Sequence, residues 1–386
     1  MTSLRYAVRA LVLSLTLTAA GASCVAAPAS AADSRQAGSP IGGQQLAKAG
    51  VIVNLPPGVP PPPAMPGASF LLADMDTGQI LVARAPHAAH LPASTLKTLT
   101  ALTLIPVLNA SSTIMVKPED VRVEGTHVGI LPGTAYSVRT LLSGMLITSG
   151  NDAAYALARG NHSVAVTLRQ MNAVAAAIGA SDTIAKDPSG LDKAGQRTSA
   201  YDLALIGRAA MKLPDFRRYV STRQTSLPGG RSVDGKLRPG FKISNHNTLI
   251  HNYKGAIGIK NGYTDAAKFT YVEAATRGGK TYLLTEMSSP NRSWRPAAAL
   301  LDWAFAHGPS LTPVGELVEP AEPAAAEPSV APTRPTGAPR VALAPTSNAR
   351  SARPPAIAPW IGAAGGIGAL VFVVFLIRRT PLRPRQ

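Results

Sequence analysis

Proline decides where this chain can fold. It is dense at Pro56–Pro66, with four in succession from Pro60 to Pro63, and Gly308–Pro355 holds eleven more. Each proline fixes φ near −65° and removes a backbone donor, so such runs favour extended chain over helix or ladder. The second stretch adds many alanines and few aromatics, too little apolar area to offset the entropy of folding. Between the two lie some 240 residues, about Ala68 to His307, enough for a large core. The expected organisation is therefore a proline-rich lead-in at 33–67, a folded domain at 68–308 and a stalk at 309–355 that adds nothing to the core.

The ends of the chain say where that domain works. Arg5 and Arg9 precede an apolar run from Ala10 to Ala20, and small residues follow to Ala29-Ser30-Ala31. This is the layout of a secretory signal peptide at 1–32. The only cysteine, Cys24, falls inside it, so disulfides are not expected in the mature domain. Lipid attachment to Cys24 is the alternative, although Gly21 stands where a leucine-like residue is wanted. Ile361–Ile377 is apolar or glycine throughout, with Trp360 at its start. Its seventeen residues at about 1.5 Å each reach roughly 26 Å, the short end of a membrane span. A span at 356–377 is expected, followed by a basic tail at 378–386 that carries Arg378, Arg379, Arg383 and Arg385. The positive charge assigns the tail to the cytoplasm and the folded domain to the outer side of the plasma membrane. The net charge of +17 is thus poor evidence for nucleic-acid binding. An anionic wall or membrane surface is one account of it, and a diffuse basic surface without a specific partner is another.

Within the folded part, Ser69–Leu72 and Gln79–Val82 flank the turn residues Asp76-Thr77-Gly78 and read as a hairpin. Phe269–Ala275 and Thr281–Thr285 form a second one around Gly278-Gly279. The middle is helical: Ser137 caps a segment through Ile147, Asn151–Arg159 ends at Gly160, Val164–Ile178 ends at Gly179, and Ser199 opens a helix through Met211. Asn291–His307 is a closing helix. Strands at both ends with helices between them define an α+β fold, an antiparallel sheet flanked by helices with an inserted all-helical subdomain.

Three short motifs stand in order on this layout: Ser94-Thr95-Leu96-Lys97, Ser149-Gly150-Asn151 and Lys260-Asn261-Gly262. Ser94 and Lys97 are three apart at a helix start, so their side chains share one face. A serine hydroxyl is a poor nucleophile until a base takes its proton. Lysine serves as that base only if burial or a nearby cation lowers its pKa towards neutrality, and Lys260 is the candidate cation. The helix N-terminus sets the Ser94 N–H and a positive dipole end where an oxyanion forms.

The set resembles the S-x-x-K, S-x-N and K-T-G motifs of penicillin-binding proteins and serine β-lactamases. The run Leu141–Ala154, with Gly258-Ile259-Lys260-Asn261-Gly262-Tyr263-Thr264, Ser189-Gly190-Leu191-Asp192 and Asn245–Leu249, is similar to D-alanyl-D-alanine carboxypeptidases over about Ser69 to Ala304. The resemblance implies a β-lactamase/DD-peptidase-like fold and a serine-type carboxypeptidase that trims peptidoglycan stem peptides ending in D-Ala-D-Ala. It implies Ser94 as nucleophile, Lys97 as base, Ser149 as proton relay to the leaving amine, and Asn151 as the group that orients the lysine and binds the substrate amide. Lys260 supplies charge, the Tyr263 N–H is a second oxyanion donor, and Asn261, Gly262 and Thr264 complete the substrate edge. β-Lactams are the implied covalent inhibitors. No metal or cofactor is implied, and the histidines lack spacing such as H-E-x-x-H. Asn261 departs from the family's threonine, and this bears on carboxylate binding.

A class A β-lactamase also needs a glutamate that activates water for deacylation. No glutamate occurs between Ser149 and Lys260. Endopeptidase or transpeptidase action at the same site differs only in substrate or acceptor. A silent wall-binding or β-lactam-sensing module is disfavoured by the intact Ser94, Lys97, Ser149 and Lys260 set.

Overall fold

The computed structural model describes residues 40–319 apart from Val233. The expected signal peptide, membrane span and basic tail lie outside the described residues, as does the expected stalk beyond residue 319. No helix among the described residues is long and apolar enough to cross a membrane.

Strand β1 (Val51–Val53) precedes the hairpin β2 (Ser69–Asp74) and β3 (Gln79–Arg84). A 3₁₀ turn at Ala93–Leu96 runs directly into helix α1 (Lys97–Leu104). A small ladder of β4 (Thr113–Met115) and β5 (Ala135–Ser137) leads to α2 (Val138–Ile147) and α3 (Asn151–Gly160). Then come α4 (Val164–Ala177), α5 (Ala200–Met211) and α6 (Pro214–Ser221). An arm follows, built of β6 (Gln224–Leu227), β7 (Gly230–Arg231), β8 (Leu237–Arg238) and β9 (Phe241–Ser244). The short α7 (Leu249–Asn252) leads to β10 (Ala256–Thr264), β11 (Lys268–Arg277) and β12 (Lys280–Ser289). Helix α8 (Arg295–His307) and β13 (Gly315–Glu316) close the described chain.

Both expected hairpins form. Asp74 Oδ1 accepts from the Asp76 and Thr77 amides at 2.9 and 3.0 Å and closes the first turn. Gly278 and Gly279 both take positive φ, 54° and 79°, which a tight two-residue turn demands and side chains resist. Ser137 and Ser199 cap α2 and α5 through the expected side-chain bonds. The segment inserted between β3 and β10 carries α1 to α7 but is not all-helical as expected, since it also holds the β4–β5 ladder and the arm.

The antiparallel sheet runs in the order β1-β3-β2-β12-β11-β10. Its central strands are covered on both faces, which is why β2 reads as a continuous apolar run rather than an alternating one. Leu71 and Ala73 enter the core shared with Leu96, Leu141 and Ile206, whereas Phe70 and Leu72 pack with Leu300, Leu301 and Trp303 of α8.

The folded body extends past both expected boundaries. Val51–Val53 pairs with Val82–Arg84, and Gly315–Glu316 pairs with Gln79–Ile80, so β1 and β13 lie end to end along the outer edge of β3. Leu46, Ile52 and Met65 are buried on the N-terminal side, and Leu311, Val314 and Leu317 on the C-terminal side. The Trp303 indole donates to the Pro60 carbonyl at 2.9 Å, docking the polyproline run on α8. Arg208 donates to the carbonyls of Met75 and Asp76 and pairs with Glu319. Residues 40–67 and 309–319 therefore belong to the domain. Proline bars regular helix and central strand, but extended chain still packs side chains and joins a sheet edge by two or three residues.

Candidate active site

The site begins where the 3₁₀ turn meets α1. The Pro92 carbonyl accepts from Thr95 Oγ1 at 2.5 Å and Thr270 Oγ1 at 2.9 Å, tying the turn to β11. Lys97 follows Ser94 by one turn and is fully buried. Its Nζ lies 2.9 Å from Ser94 Oγ and donates at 2.7 Å to both Asn151 Oδ1 and the Ser189 carbonyl. Burial first, and the nearby Lys260 charge second, hold Lys97 well below the ordinary lysine pKa, opposed by Asp187 and Asp152. Lys260 is buried as well, and that burial lowers its pKa to about 7. Its Nζ donates to the Asn261 carbonyl at 2.7 Å.

Ser149 sits in the break between α2 and α3 with φ of 65°, a left-handed conformation that side chains other than glycine adopt rarely. Such strain persists where the surroundings over-determine it. Here they do: Asn151 donates through Nδ2 to the Glu124 carbonyl at 2.6 Å and through its backbone N–H to the Thr126 carbonyl at 2.7 Å. The Asp152 carboxylate accepts from the Val128 and Gly129 amides at 2.9 Å each. The loop from Glu124 to Ile130 is thereby strapped to the start of α3, and Thr126 reaches the pocket.

Two glycines clear space around the nucleophile. A Cβ on Gly262 of β10 would stand 2.6 Å from Ser94 N and from Thr270 Oγ1. A Cβ on Gly190 would stand 1.9 Å from the Ala93 carbonyl oxygen. The loop carrying Gly190 is held by Asp187 Oδ1, which accepts from the Ser189 amide at 2.7 Å, Ser189 Oγ at 2.6 Å and the Gly190 amide at 3.0 Å. Tyr155 donates to the other Asp187 oxygen at 2.5 Å. That network aims the Ser189 carbonyl at Lys97.

A cavity of about 300 Å³ opens in front of Ser94. Ser149, Asn261, Gly262 and Tyr263 line it as expected, and so do Thr126, His246, Phe269 and Arg292. Lys97, Asn151 and Lys260 lie buried behind the wall. The Thr264 hydroxyl donates to Asp192 Oδ1 and accepts from the Ala267 amide, both at 3.0 Å, and so shapes the β10–β11 turn. Thr126, Phe269 and Arg292 went unrecognised in the sequence because each is brought in from a separate segment by the fold. For His246 a signal existed in Asn245-His246-Asn247. Buried Asn245 and Asn247 hold that turn: Asn245 Nδ2 donates to the Val220 and Thr222 carbonyls, Asn245 Oδ1 accepts from the Asn247 amide, and Asn247 Oδ1 from the Leu249 amide. Burial, with the charges of Lys260 and Arg292, lowers the His246 pKa.

A buried lysine hydrogen-bonded to a serine, a second buried lysine behind a sheet edge, and a pocket between them define a serine acyl-transfer site. Residues 58–290 match the family model of the S11 peptidases, described as D-alanyl-D-alanine carboxypeptidase. The chain is 40% identical to the D-alanyl-D-alanine carboxypeptidase DacB2 of Mycobacterium tuberculosis over 269 residues, 68% of this chain and 90% of that protein. A solved D-alanyl-D-alanine carboxypeptidase structure from Mycobacterium tuberculosis superposes with a TM-score of 0.63 at 40% identity, over 68% of this chain and 99% of that one. The Streptomyces K15 DD-transpeptidase superposes with a TM-score of 0.61 at 28% identity, over 64% and 100% respectively. The chain belongs to the D-alanyl-D-alanine carboxypeptidase family of serine peptidases.

Proposed function

We propose that this enzyme removes the terminal D-Ala from peptidoglycan stem peptides with Ser94 as nucleophile and Lys97 as its base. The observation that carries the assignment is the set of three partners around Lys97 Nζ. A neutral amine has two N–H bonds and one lone pair. The Asn151 and Ser189 carbonyl oxygens take the two N–H bonds, and the lone pair is left for the Ser94 hydroxyl proton. Burial and the Lys260 charge both favour the neutral form that this requires.

Ser94 Oγ adds to the penultimate D-Ala carbonyl carbon as its proton passes to Lys97. The backbone N–H groups of Ser94 and Tyr263 receive the oxyanion, consistent with the close approach of β10 at Gly262. The tetrahedral species then expels the terminal D-Ala, whose amine takes a proton relayed through Ser149. Water attacks the resulting ester, Lys97 takes its proton, and Ser94 is restored as the peptide leaves. Asn261 and Arg292, both at the pocket wall, receive the substrate carboxylate. The leader at 1–32 and the apolar segment at 356–377 support a single-pass anchor with the domain on the wall side.

The test is release of free D-alanine from a pentapeptide ending in D-Ala-D-Ala, alongside mapping of a labelled penicillin adduct. Wild type is expected to release D-alanine and carry the label on Ser94. Ser94→Ala is expected to do neither while keeping its fold. A label on another residue would overturn the assignment.

A further inference from the structure

The arm between α6 and α7 has a composition that folding does not explain. From Arg223 to Ser244 it carries Arg223, Arg231, Lys236, Arg238 and Lys242 against one acid, Asp234, and each of these side chains is exposed. Leu227 and Ile243 are its buried anchors, whereas Leu237 is 75% exposed between Lys236 and Arg238. Beyond the anchors the arm meets the body where Thr134 Oγ1 donates to the Arg231 carbonyl at 3.2 Å, where Phe241 lies against Gly129, and where Arg231 and Ser232 border a cleft with Val116, Lys117 and Pro132. Asp234 lies 3.7 Å from Lys236 and 3.8 Å from Arg238, so it offsets only part of the positive charge. Strand β9 ends at Ser244 and passes directly into Asn245-His246, and His246 lines the active-site cavity. The base of the arm is thus joined to the pocket wall through two residues of chain.

We propose that this basic arm is a docking surface for the polymeric substrate, an acidic glycan-peptide chain, and that it holds neighbouring stems while one occupies the pocket. The proposal rests on the peptidoglycan reading above. Each untrimmed stem ends in a carboxylate, so a polymer of stems is a multivalent anion, and the arm complements its charge. A cluster of cations on an arm that leads into a pocket raises the local concentration of an anionic chain and speeds its capture, an effect that salt screens beyond about 10 Å at 0.1 M. Leu237 offers an apolar contact to alanyl methyl groups.

The experiment compares the full-length enzyme with a variant carrying Arg231→Gln, Lys236→Gln, Arg238→Gln and Lys242→Gln. On uncross-linked peptidoglycan at low salt, kcat/KM of the variant is expected to fall about tenfold, and rising salt is expected to bring wild type down to it. On the free pentapeptide the two are expected to agree within twofold. An equal loss on both substrates, or no loss on the polymer, would overturn the proposal. So would a polymer defect confined to assays containing anionic phospholipid vesicles, which would assign the arm to a bilayer. If the pentapeptide yields no D-alanine, the reaction assignment has failed. Cosedimentation of Ser94→Ala with purified peptidoglycan, with and without the four arm substitutions, then still tests the arm by itself.

Discussion

The two edges of the sheet are treated in opposite ways. The edge at β3 is closed by the chain itself, with β1 and β13 laid end to end along it. At the edge formed by β10, Asn261, Gly262 and Tyr263 border the cavity in front of Ser94. An unpaired strand is a template for any extended chain, and proteins ordinarily cover or blunt it. Here one edge is covered from within and the other borders the cavity, where the same backbone chemistry would receive a substrate peptide. The covered edge contributes stability, and the open edge stands beside Ser94.

The largest expected effect lies at the covered edge. Ending the chain at His307 removes β13 together with buried Leu311, Val314 and Leu317. At about 1.5–3 kcal/mol for each side chain, the loss approaches the whole stability of an ordinary domain, about 5–15 kcal/mol. That chain is expected to be unfolded by circular dichroism, whereas one ending at Glu319 is expected to be folded and to release D-alanine. Equal melting temperatures for the two would mean that β13 is an ornament of the edge.

The open edge was far more legible in sequence than the covered one, for a physical reason. Catalysis demands particular side chains at fixed offsets, so Ser94, Lys97, Ser149, Asn151 and Lys260 stand out, and the cavity gathers around them. Covering an edge demands only two or three residues of extended backbone, which almost any sequence supplies. Val51–Val53 and Gly315–Glu316 therefore vanished into proline-rich surroundings that read as linker. The hairpins and helix caps were readable because Gly278-Gly279, Ser137 and Ser199 act locally. Thr126 and Arg292 were not, because their position depends on a strapped loop and a strand end that meet only in three dimensions. Thr264 shows the converse: a motif position whose hydroxyl Asp192 has already engaged.

Behind the open edge, Lys97→Met is expected to lower kcat/KM by about 10²- to 10⁴-fold, the usual range for a positioned base. Its melting temperature is expected to move far less than its activity, since relief from burying an amine at 0% exposure opposes the loss of the donor to Asn151 Oδ1 and the Ser189 carbonyl. A loss of activity that only tracked a loss of folded protein would mark the lysine as structural. The wild-type pH profile carries a related sign. Lys260 has a pKa of about 7 and couples to Lys97, whose pKa is also depressed, so the two titrate as a pair. The active pair holds one proton, on Lys260; at lower pH a second proton enters on Lys97, the base is blocked and kcat/KM drops. A flat profile from pH 5 to 8 would remove Lys97 from that role.

On the strand itself, Gly262→Ala tests how closely β10 must pass the nucleophile. The added Cβ would stand 2.6 Å from Ser94 N and 3.0 Å from Ala93 Cβ, and neither atom belongs to a flexible side chain. A shift of β10 would carry the Tyr263 N–H away from the oxyanion, so kcat/KM is expected to fall about 10²- to 10³-fold, the range for losing one such donor. Near-normal acylation with a folded protein would mean that the oxyanion is held elsewhere.

The smallest expected effect is at Asn261, where the edge carries an amide in place of the family's threonine. Both side chains can donate to a carboxylate, but the amide is longer and sets the bound anion at a different distance from Lys260. A hydrogen bond to a charged group contributes about 1.5–3 kcal/mol, so a position acting alone would change the rate by about ten- to a hundredfold. On the proposed reading Asn261 would not act alone, because Arg292 lines the same cavity and would supply charge to the same carboxylate. Asn261→Thr is therefore expected to speed acylation by a penicillin by about tenfold, the low end of that range. The second-order acylation constant, measured for Asn261→Thr with and without Arg292→Gln, separates the two contributions. A gain from threonine that appears only when Arg292 is absent would show that the arginine saturates carboxylate recognition. A change below twofold in both backgrounds would mean that this position of the open edge shapes the pocket without reading the anion.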